Sequence, residues 1–135
     1  MLKLYKSTGI LSVQKQDKSP YPKLTCLVDT EIVRLTRALI PPIYRANLNR
    51  TKFAPHITTI RKEPISLSQI LPFENQEVEF SYDPRVVSGG VYWWLNVWSE
   101  DLLQLRKSLG LQGSTFLNKP PSGFADFHIT VGNTK

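Results

Sequence analysis

The chain has 135 residues, of which 41% are hydrophobic and 21% charged. A chain of this length predicts one domain, 1–135, and excludes a tandem of two full-sized domains. Since no apolar run approaches eighteen residues, the sequence also excludes a membrane-spanning helix. The chain is long enough to bury a core without disulfides or a structural metal. Seventeen Lys and Arg against eleven Asp and Glu give a net charge of +6, which favours anionic partners such as nucleotides or RNA.

The single cysteine and the N-terminal residues bear on the cellular compartment. Because Cys26 is the only cysteine, the chain can form neither an internal disulfide nor a cysteine-based zinc cluster. Residues 1–6 interleave lysine with apolar side chains and lack the continuous hydrophobic stretch of a secretory signal. We therefore expect a cytosolic protein with a buried, unreactive Cys26.

The first half of the chain predicts a strand, a capped helix and a second strand. Residues 1–14 are typical of an added hairpin with a turn at 7–9, and the apolar residues 23–28 favour a strand. Asp29 or Thr30 is a typical N-cap for a helix that ends before Pro41-Pro42. A polar, basic loop then leads to a strand within 53–61. The apolar stripe of the helix should comprise Ile32, Val33, Leu35, Leu39 and Ile40, with Arg34 and Arg37 facing outwards.

The second half predicts a similar series of elements. A short helix at 66–71 precedes an alternating strand at 77–82, and Ser88-Gly89-Gly90 is typical of a turn. Residues 91–98 are rich in aromatic and β-branched side chains and predict a strand. Ser99 caps a helix that ends at Gly110, and a Gly- and Pro-rich loop at 113–123 leads to a last strand at 126–133.

The two halves share one plan of strand, capped helix, loop and a strand that contains His-Ile-Thr. Glu31 to His56 spans 25 residues and Glu100 to His128 spans 28, which indicates an internal duplication. We therefore predict an α+β fold in which two pseudo-symmetric β-α lobes, roughly 15–65 and 76–135, have antiparallel sheets that flank a central cleft.

The only two histidines of the chain, His56 and His128, each begin the tripeptide His-Ile-Thr. Residues two apart in a strand point to the same face, so each strand should present an imidazole beside a hydroxyl. The pairs are His56 with Thr58 and His128 with Thr130. Ile57 and Ile129 should point the other way and pack under the helices.

A facing pair of imidazoles is suited to acid–base chemistry. Since imidazole titrates near neutrality, one ring can act as base while the other acts as acid, as cleavage of a phosphodiester requires. Two histidines without a nearby carboxylate or thiolate are a poor ligand set for a metal, and hydroxyls suit a phosphoryl group better than a cation. The sequence therefore predicts a site that needs no metal and no cofactor.

These motifs resemble those of the 2H phosphoesterases, which carry paired His-x-Thr/Ser motifs on duplicated β-α units. The resemblance covers most of the chain from Lys23 onward and is carried by residues 55–58 and 127–130. It implies that His56, Thr58, His128 and Thr130 are catalytic, in an enzyme that hydrolyses 2′,3′-cyclic phosphates or 2′,5′-linked or cyclic oligonucleotides. Residues 92–111 and 127–133 are further similar to small phage-type members, including enzymes that degrade the cyclic nucleotide signals of bacterial antiphage defence. The chain departs from the family in its shortness and in Phe127, which stands where a Pro often precedes the histidine.

Aromatic and basic side chains near the motifs are candidates for substrate binding. Tyr92, Trp94 and Trp98 alternate on the same strand and can stack nucleobases if that face is open. Basic side chains next to the first motif can neutralise phosphates; these are Arg61 just after it and Arg45, Arg50 and Lys52 before it.

Two other classes of function remain open at the level of sequence. A binding module could sequester RNA or a nucleotide through the same basic and aromatic contacts without turnover, although it would not need both histidines and both threonines. A phage structural or assembly protein would leave the repeated tripeptide as a coincidence. The sequence does not indicate which histidine is the acid and which is the base.

Overall fold

The structure, a computed structural model, describes residues 3–16, 19–51, 53–112 and 127–135. A 3₁₀ turn at Leu71–Phe73 accompanies the regular elements. Within these ranges the strands are β1 (Tyr5–Gln14), β2 (Lys23–Leu27), β3 (His56–Ile60), β4 (Glu77–Tyr82), β5 (Val87–Ser88), β6 (Tyr92–Trp98) and β7 (Phe127–Asn133). The helices there are α1 (Thr30–Ala38), α2 (Pro42–Arg45), α3 (Leu67–Ile70) and α4 (Glu100–Ser108).

The strands form one antiparallel sheet that closes on itself. Six of them follow the order β4-β1-β2-β3-β7-β6, and β4 pairs back to β6 through Ser81 with Trp98 and Tyr82 with Val97. The short β5 pairs with Trp93 and Trp94 of β6, along the edge whose other end pairs with β4. The result is a small six-stranded barrel with one extra strand and few helices.

The predicted pair of β-α lobes that flank a cleft is therefore wrong. The lobes do not separate because β1 pairs with β2 on one side and β4 on the other, which joins both halves of the chain in one sheet. Buried residues from both halves also form one continuous core cluster. The order of elements does repeat, because β1-β2-α1-β3 in the first half corresponds to β4-β6-α4-β7 in the second. The last strands of the two series, β3 and β7, are neighbours in the sheet and form the β3–β7 seam.

The N-terminal hairpin was also predicted wrongly, because residues 5–14 form one continuous strand. Gly9, expected in a turn, lies in mid-strand where an added Cβ would come within 2.3 Å of Cys26 Sγ and 2.7 Å of the Leu27 carbonyl oxygen. The glycine thus permits a close approach of β1 to β2. Cys26 is buried there, and burial raises the pKa of its thiol to about 12.

The two longer helices begin at the predicted caps. The side chain of Asp29 accepts a hydrogen bond from the Glu31 backbone N–H (2.9 Å), and Ser99 Oγ accepts from that of Leu102 (3.2 Å). The predicted stripe on α1 is wrong in part, since Leu35 and Leu39 are 55% and 73% exposed. Spacing of four residues instead buries Ile32, Thr36 and Ile40. No helix in the described ranges is long and apolar enough to span a membrane.

Two arginines fix the histidine strands from the helix of the opposite half. Arg106 on α4 donates to the carbonyl oxygen of Thr59 on β3 (2.8 Å). Arg37 on α1, which was expected to face outwards, donates to that of Val131 on β7 (2.7 Å). Each acceptor lies three residues after a histidine, so each helix anchors the other half's His-Ile-Thr strand.

We predict that the buried ion pair of Arg106 and Glu63 is essential to stability. Both side chains are almost fully buried, with two N–O contacts of 2.7 and 2.8 Å. Glu63→Gln leaves the guanidinium without a compensating charge, so the free energy of unfolding should fall by about 3 kcal/mol or more. Urea denaturation measures this change.

The matched control is Glu31→Gln, which removes the carboxylate of the exposed Arg34–Glu31 pair. An exposed pair contributes at most about 1 kcal/mol, so this variant should unfold nearly like the wild type. Equal losses in the two variants would contradict the assigned role of Glu63.

Candidate functional site

The two His-Ile-Thr motifs lie side by side at the β3–β7 seam. Ile57 pairs with Ile129 in antiparallel register. Continuing this register by one residue in each direction sets His56 opposite Thr130 and Thr58 opposite His128. Directly opposite residues on one face of a sheet have Cβ atoms about 5 Å apart, and diagonal neighbours have Cβ atoms about 7 Å apart. Each imidazole therefore lies opposite a threonine of the other strand, and the two imidazoles are diagonal neighbours.

The predicted division of faces is confirmed for these strands. Ile57, Ile129 and Thr59 are fully buried in the core, whereas the four His and Thr residues of the motifs are half-buried on the other face. Neighbouring strands extend this face on both sides. Two cross-strand rows result: Leu27, His56, Thr130 and Trp94 form the first, and Thr25, Thr58, His128 and Asn96 form the second.

The ring of His56 is held in one orientation. Its Nδ1 lies 2.8 Å from the carbonyl oxygen of Ala54. Because a carbonyl can only accept, Nδ1 carries the hydrogen and donates it, which leaves Nε2 as the nitrogen available for proton transfer. Pro55 connects the two residues, and its fixed φ restricts the backbone between them.

Both imidazoles have lowered pKa values. Burial, together with the smaller effect of the nearby His56, lowers the pKa of His128 to about 4. Burial also lowers the pKa of His56, against the opposing effect of the Ala54 hydrogen bond, and Lys23 and Arg61 lower it further. Both shifts favour the neutral imidazole at pH 7, and the shift is larger for His128.

Lys23 is a neighbour of the site that the sequence analysis missed. It opens β2 on the same strand as Thr25, and it lines a cavity of about 130 Å³ together with Phe53, Thr25 and His56. A lysine at the start of an apolar strand looks like ordinary surface charge. The one signal for its location near His56 is that Lys23 lies two residues before Thr25 and therefore on the same face of β2, the strand that pairs with β3.

The predicted aromatic residues do not meet at the histidines. Trp94 lies beside Thr130 but is 2% exposed, and its Nε1 donates to Asn96 Oδ1 (3.0 Å), so its ring packs in the structure and does not offer a stacking face. Tyr92 is exposed at the far end of β6, with Lys135 Nζ 4.8 Å from its ring centroid. Trp98 lines a separate concavity of about 460 Å³ with residues of β1 and β4.

The predicted basic residues divide between two places. Arg61 is close enough to His56 and Lys23 to influence the pKa of each. Arg50 lies with Arg37 in another concavity of about 360 Å³ beside α1, and Arg45 donates to the Ala38 carbonyl oxygen (3.2 Å). Lys52 falls outside the described residues, as does the predicted loop at 113–123.

Within the described residues, no three His, Cys, Asp or Glu side chains cluster closely enough to bind a metal ion. The chain matches no protein-family profile, and neither a curated protein nor a solved structure shows a significant match to it. Inference about function therefore starts from the geometry of the two motifs.

The lowered pKa of His128 predicts a loss of stability in acid. The unfolded chain titrates at the ordinary histidine pKa of 6.5, so between that value and about 4 it binds more protons than the folded chain. Stability present above pH 6.5 is then lost as the pH falls towards 4. Between pH 7.5 and pH 5, His128 should account for a decrease of about 2 kcal/mol in the free energy of unfolding.

Urea denaturation of the wild type and of His128→Gln at both pH values measures this contribution of His128 to the free energy of unfolding. The variant should lose less stability than the wild type over the same interval. An identical decrease in the two proteins would show that His128 titrates normally in the folded state.

Proposed function

We propose that the chain is a metal-independent phosphodiesterase that hydrolyses nucleotide phosphodiesters by acid–base catalysis between His56 and His128. The observation that carries this proposal is the shared face on which two imidazoles lie diagonally across two hydroxyls. The resemblance of both motifs to those of the 2H phosphoesterases supports the same chemistry. Candidate substrates are 2′,3′-cyclic phosphates and 2′,5′-linked or cyclic oligonucleotides.

The reaction needs one neutral and one protonated imidazole. Because the pKa of His128 is lowered more than that of His56, His56 is the acid in this proposal and His128 is the base. With a 2′,3′-cyclic phosphate, His128 takes a proton from water as its oxygen attacks phosphorus. The bond from phosphorus to one ribose oxygen breaks, and His56 Nε2 gives its proton to that oxygen. In an oligonucleotide the free ribose hydroxyl beside the scissile phosphate can replace water: the 2′-OH in a 3′,5′ linkage and the 3′-OH in a 2′,5′ linkage. The 5′ oxygen of the next nucleotide then leaves with the proton from His56, and a 2′,3′-cyclic phosphate is left.

In this proposal the two threonines bind the phosphoryl group. Thr58 lies opposite His128 and Thr130 opposite His56, so a phosphorus atom between the rings has a hydroxyl on either side. Each hydroxyl can donate to a non-bridging oxygen, whose charge changes in the transition state. The rows thus supply both proton transfer and charge stabilisation.

The direct test is incubation of the purified protein in EDTA with 2′,3′-cyclic mononucleotides, 2′,5′-oligoadenylate and cyclic di- and trinucleotides, followed by separation of the products. Hydrolysis of at least one substrate is expected. Binding of these compounds without any turnover would replace the proposal by a nucleotide-binding module.

We also propose that the protein acts in the cytosol, which is the host cytosol if the chain is a phage protein.

Loss of either imidazole should abolish most of the activity. His56→Ala and His128→Ala each remove one proton-transfer partner, so kcat should fall at least about 10²-fold on any substrate found. Circular dichroism checks that both variants remain folded. A variant that is folded and keeps more than about a third of the wild-type kcat would disprove the two-histidine mechanism.

A smaller loss is expected from the threonine hydroxyls. Thr58→Val and Thr130→Val keep the side-chain volume and remove one neutral hydrogen bond, so kcat should fall by about tenfold. Thr59→Val is the matched control because Thr59 is fully buried on the core face. Equal kinetic losses at positions 58 and 59 would contradict the assigned face.

The catalytic rate should show a bell-shaped dependence on pH without any added metal. Since the pKa values of both free imidazoles are lowered, the singly protonated pair is most populated on the acid side of pH 6.5. Accordingly kcat/KM should have its maximum there and decline towards pH 8. An anionic substrate raises both pKa values, so the maximum of kcat should lie at higher pH.

Measurement of both constants from pH 4.5 to 9 after exhaustive chelation tests this expectation. Zinc, manganese and magnesium are then added back separately. Loss of activity on chelation with rescue by one metal, together with a rate that rises to a plateau, would instead make the histidines metal ligands.

A further inference from the structure

Two cations lie opposite each other next to the histidine face. Leu24 pairs with Ile60, and the same register one residue further sets Lys23 opposite Arg61. Like charges in opposite positions destabilise a sheet. Lys23 is also half-buried, and its pKa is lowered by burial and by Arg61. Within the described residues the salt bridges involve other arginines, so the mutual repulsion of these two cations is not relieved by a carboxylate.

A buried hydroxyl lies in the same place. Thr25 is 1% exposed, and its Oγ1 has no hydrogen-bond partner among the described residues. A buried polar group without a partner costs about 1–3 kcal/mol, which makes it a feature that a ligand can compensate. Thr25, Lys23 and His56 all line the cavity of about 130 Å³.

An exposed aromatic ring forms the rim of this cavity. Phe53 is 71% exposed, and Lys23 Nζ lies 5.9 Å from its ring centroid. A ring that is open to solvent beside a cation can stack a base and leave the cation to bind the attached phosphate. Phe53 has the free face that Trp94 lacks.

We infer that Lys23, Arg61 and Thr25 form a subsite for a second phosphate and that Phe53 stacks the adjoining base, which makes the substrate an oligonucleotide. Lys23 and Thr25 are two residues apart on β2, or about 7 Å, a spacing comparable with that of adjacent phosphates along an extended strand. A cyclic mononucleotide has no phosphate for this subsite. The inference rests on the proposed function for the position of the scissile phosphate only.

The first experiment measures binding without turnover. Fluorescein-labelled trideoxyadenylate, which lacks the 2′-OH nucleophile, is titrated with the wild type and followed by fluorescence anisotropy. Lys23→Gln and Arg61→Gln should each raise Kd at least about tenfold and reduce the salt dependence of log Kd by about one unit per cation removed. Phe53→Ala should raise Kd with the salt slope unchanged.

Two further variants sharpen the comparison. Lys107→Gln removes the same charge from the exposed side of α4 and should bind like the wild type. Thr25→Val removes only the buried hydroxyl, so it should weaken binding while the urea midpoint stays equal or rises. Equal loss in Lys107→Gln and Lys23→Gln would reduce the subsite to general surface charge and overturn the inference.

The second experiment is kinetic and separates the two proposals. For each variant the ratio of kcat/KM on 2′,5′-triadenylate or cyclic triadenylate to that on 2′,3′-cyclic AMP is compared with the wild-type ratio. A decrease of at least about tenfold in Lys23→Gln and Arg61→Gln is expected. An unchanged ratio with unchanged trideoxyadenylate binding would overturn the subsite but leave the phosphodiesterase. Variant-sensitive binding without hydrolysis of any substrate would leave the subsite and overturn the phosphodiesterase.

Discussion

The pairing of Ile57 with Ile129 is the constraint on which the candidate site depends. These two side chains are fully buried in the core, and they are the register partners at the seam between the halves of the chain. Because side chains alternate along a strand, burying both isoleucines forces both histidines and both motif threonines onto the opposite face. A slip of one residue in either strand would put an imidazole in the core. The energy that protects the register is thus hydrophobic, although the groups it positions are polar.

The arginines extend this constraint from one pair of residues to the whole strands. Arg37 and Arg106 bind carbonyl groups beyond each motif, and each comes from the helix of the other half. A shift of either half would therefore break a hydrogen bond that the other half provides. This reciprocal anchoring links the two motifs mechanically in a fold that has no separate lobes.

Much of the local structure could be predicted from the sequence, and the closure of the sheet could not. The caps at Asp29 and Ser99 and the His/Thr faces follow from short-range rules of spacing and capping, which depend only on neighbours in the chain. The role of β1 depends on pairing with residues some seventy positions away, and Gly9 looked like a turn because its close approach to Cys26 is invisible in the sequence. For the same reason Trp94 was expected to be open and Lys23 was overlooked. The two-lobed fold was expected from the repeated order of elements in the two halves, which does not reveal how the strands of one half pair with those of the other.

In the proposed mechanism, the hydrogen bond from His56 to Ala54 has a consequence for how the site is reset after a turnover. With Nδ1 committed to a backbone carbonyl, the ring cannot pass a proton from one nitrogen to the other and on into the protein. The nitrogen that releases a proton must also collect the next one, from the same side. In the proposed cycle Nε2 is therefore recharged from the side that holds the product, which links recovery of the acid to departure of the product.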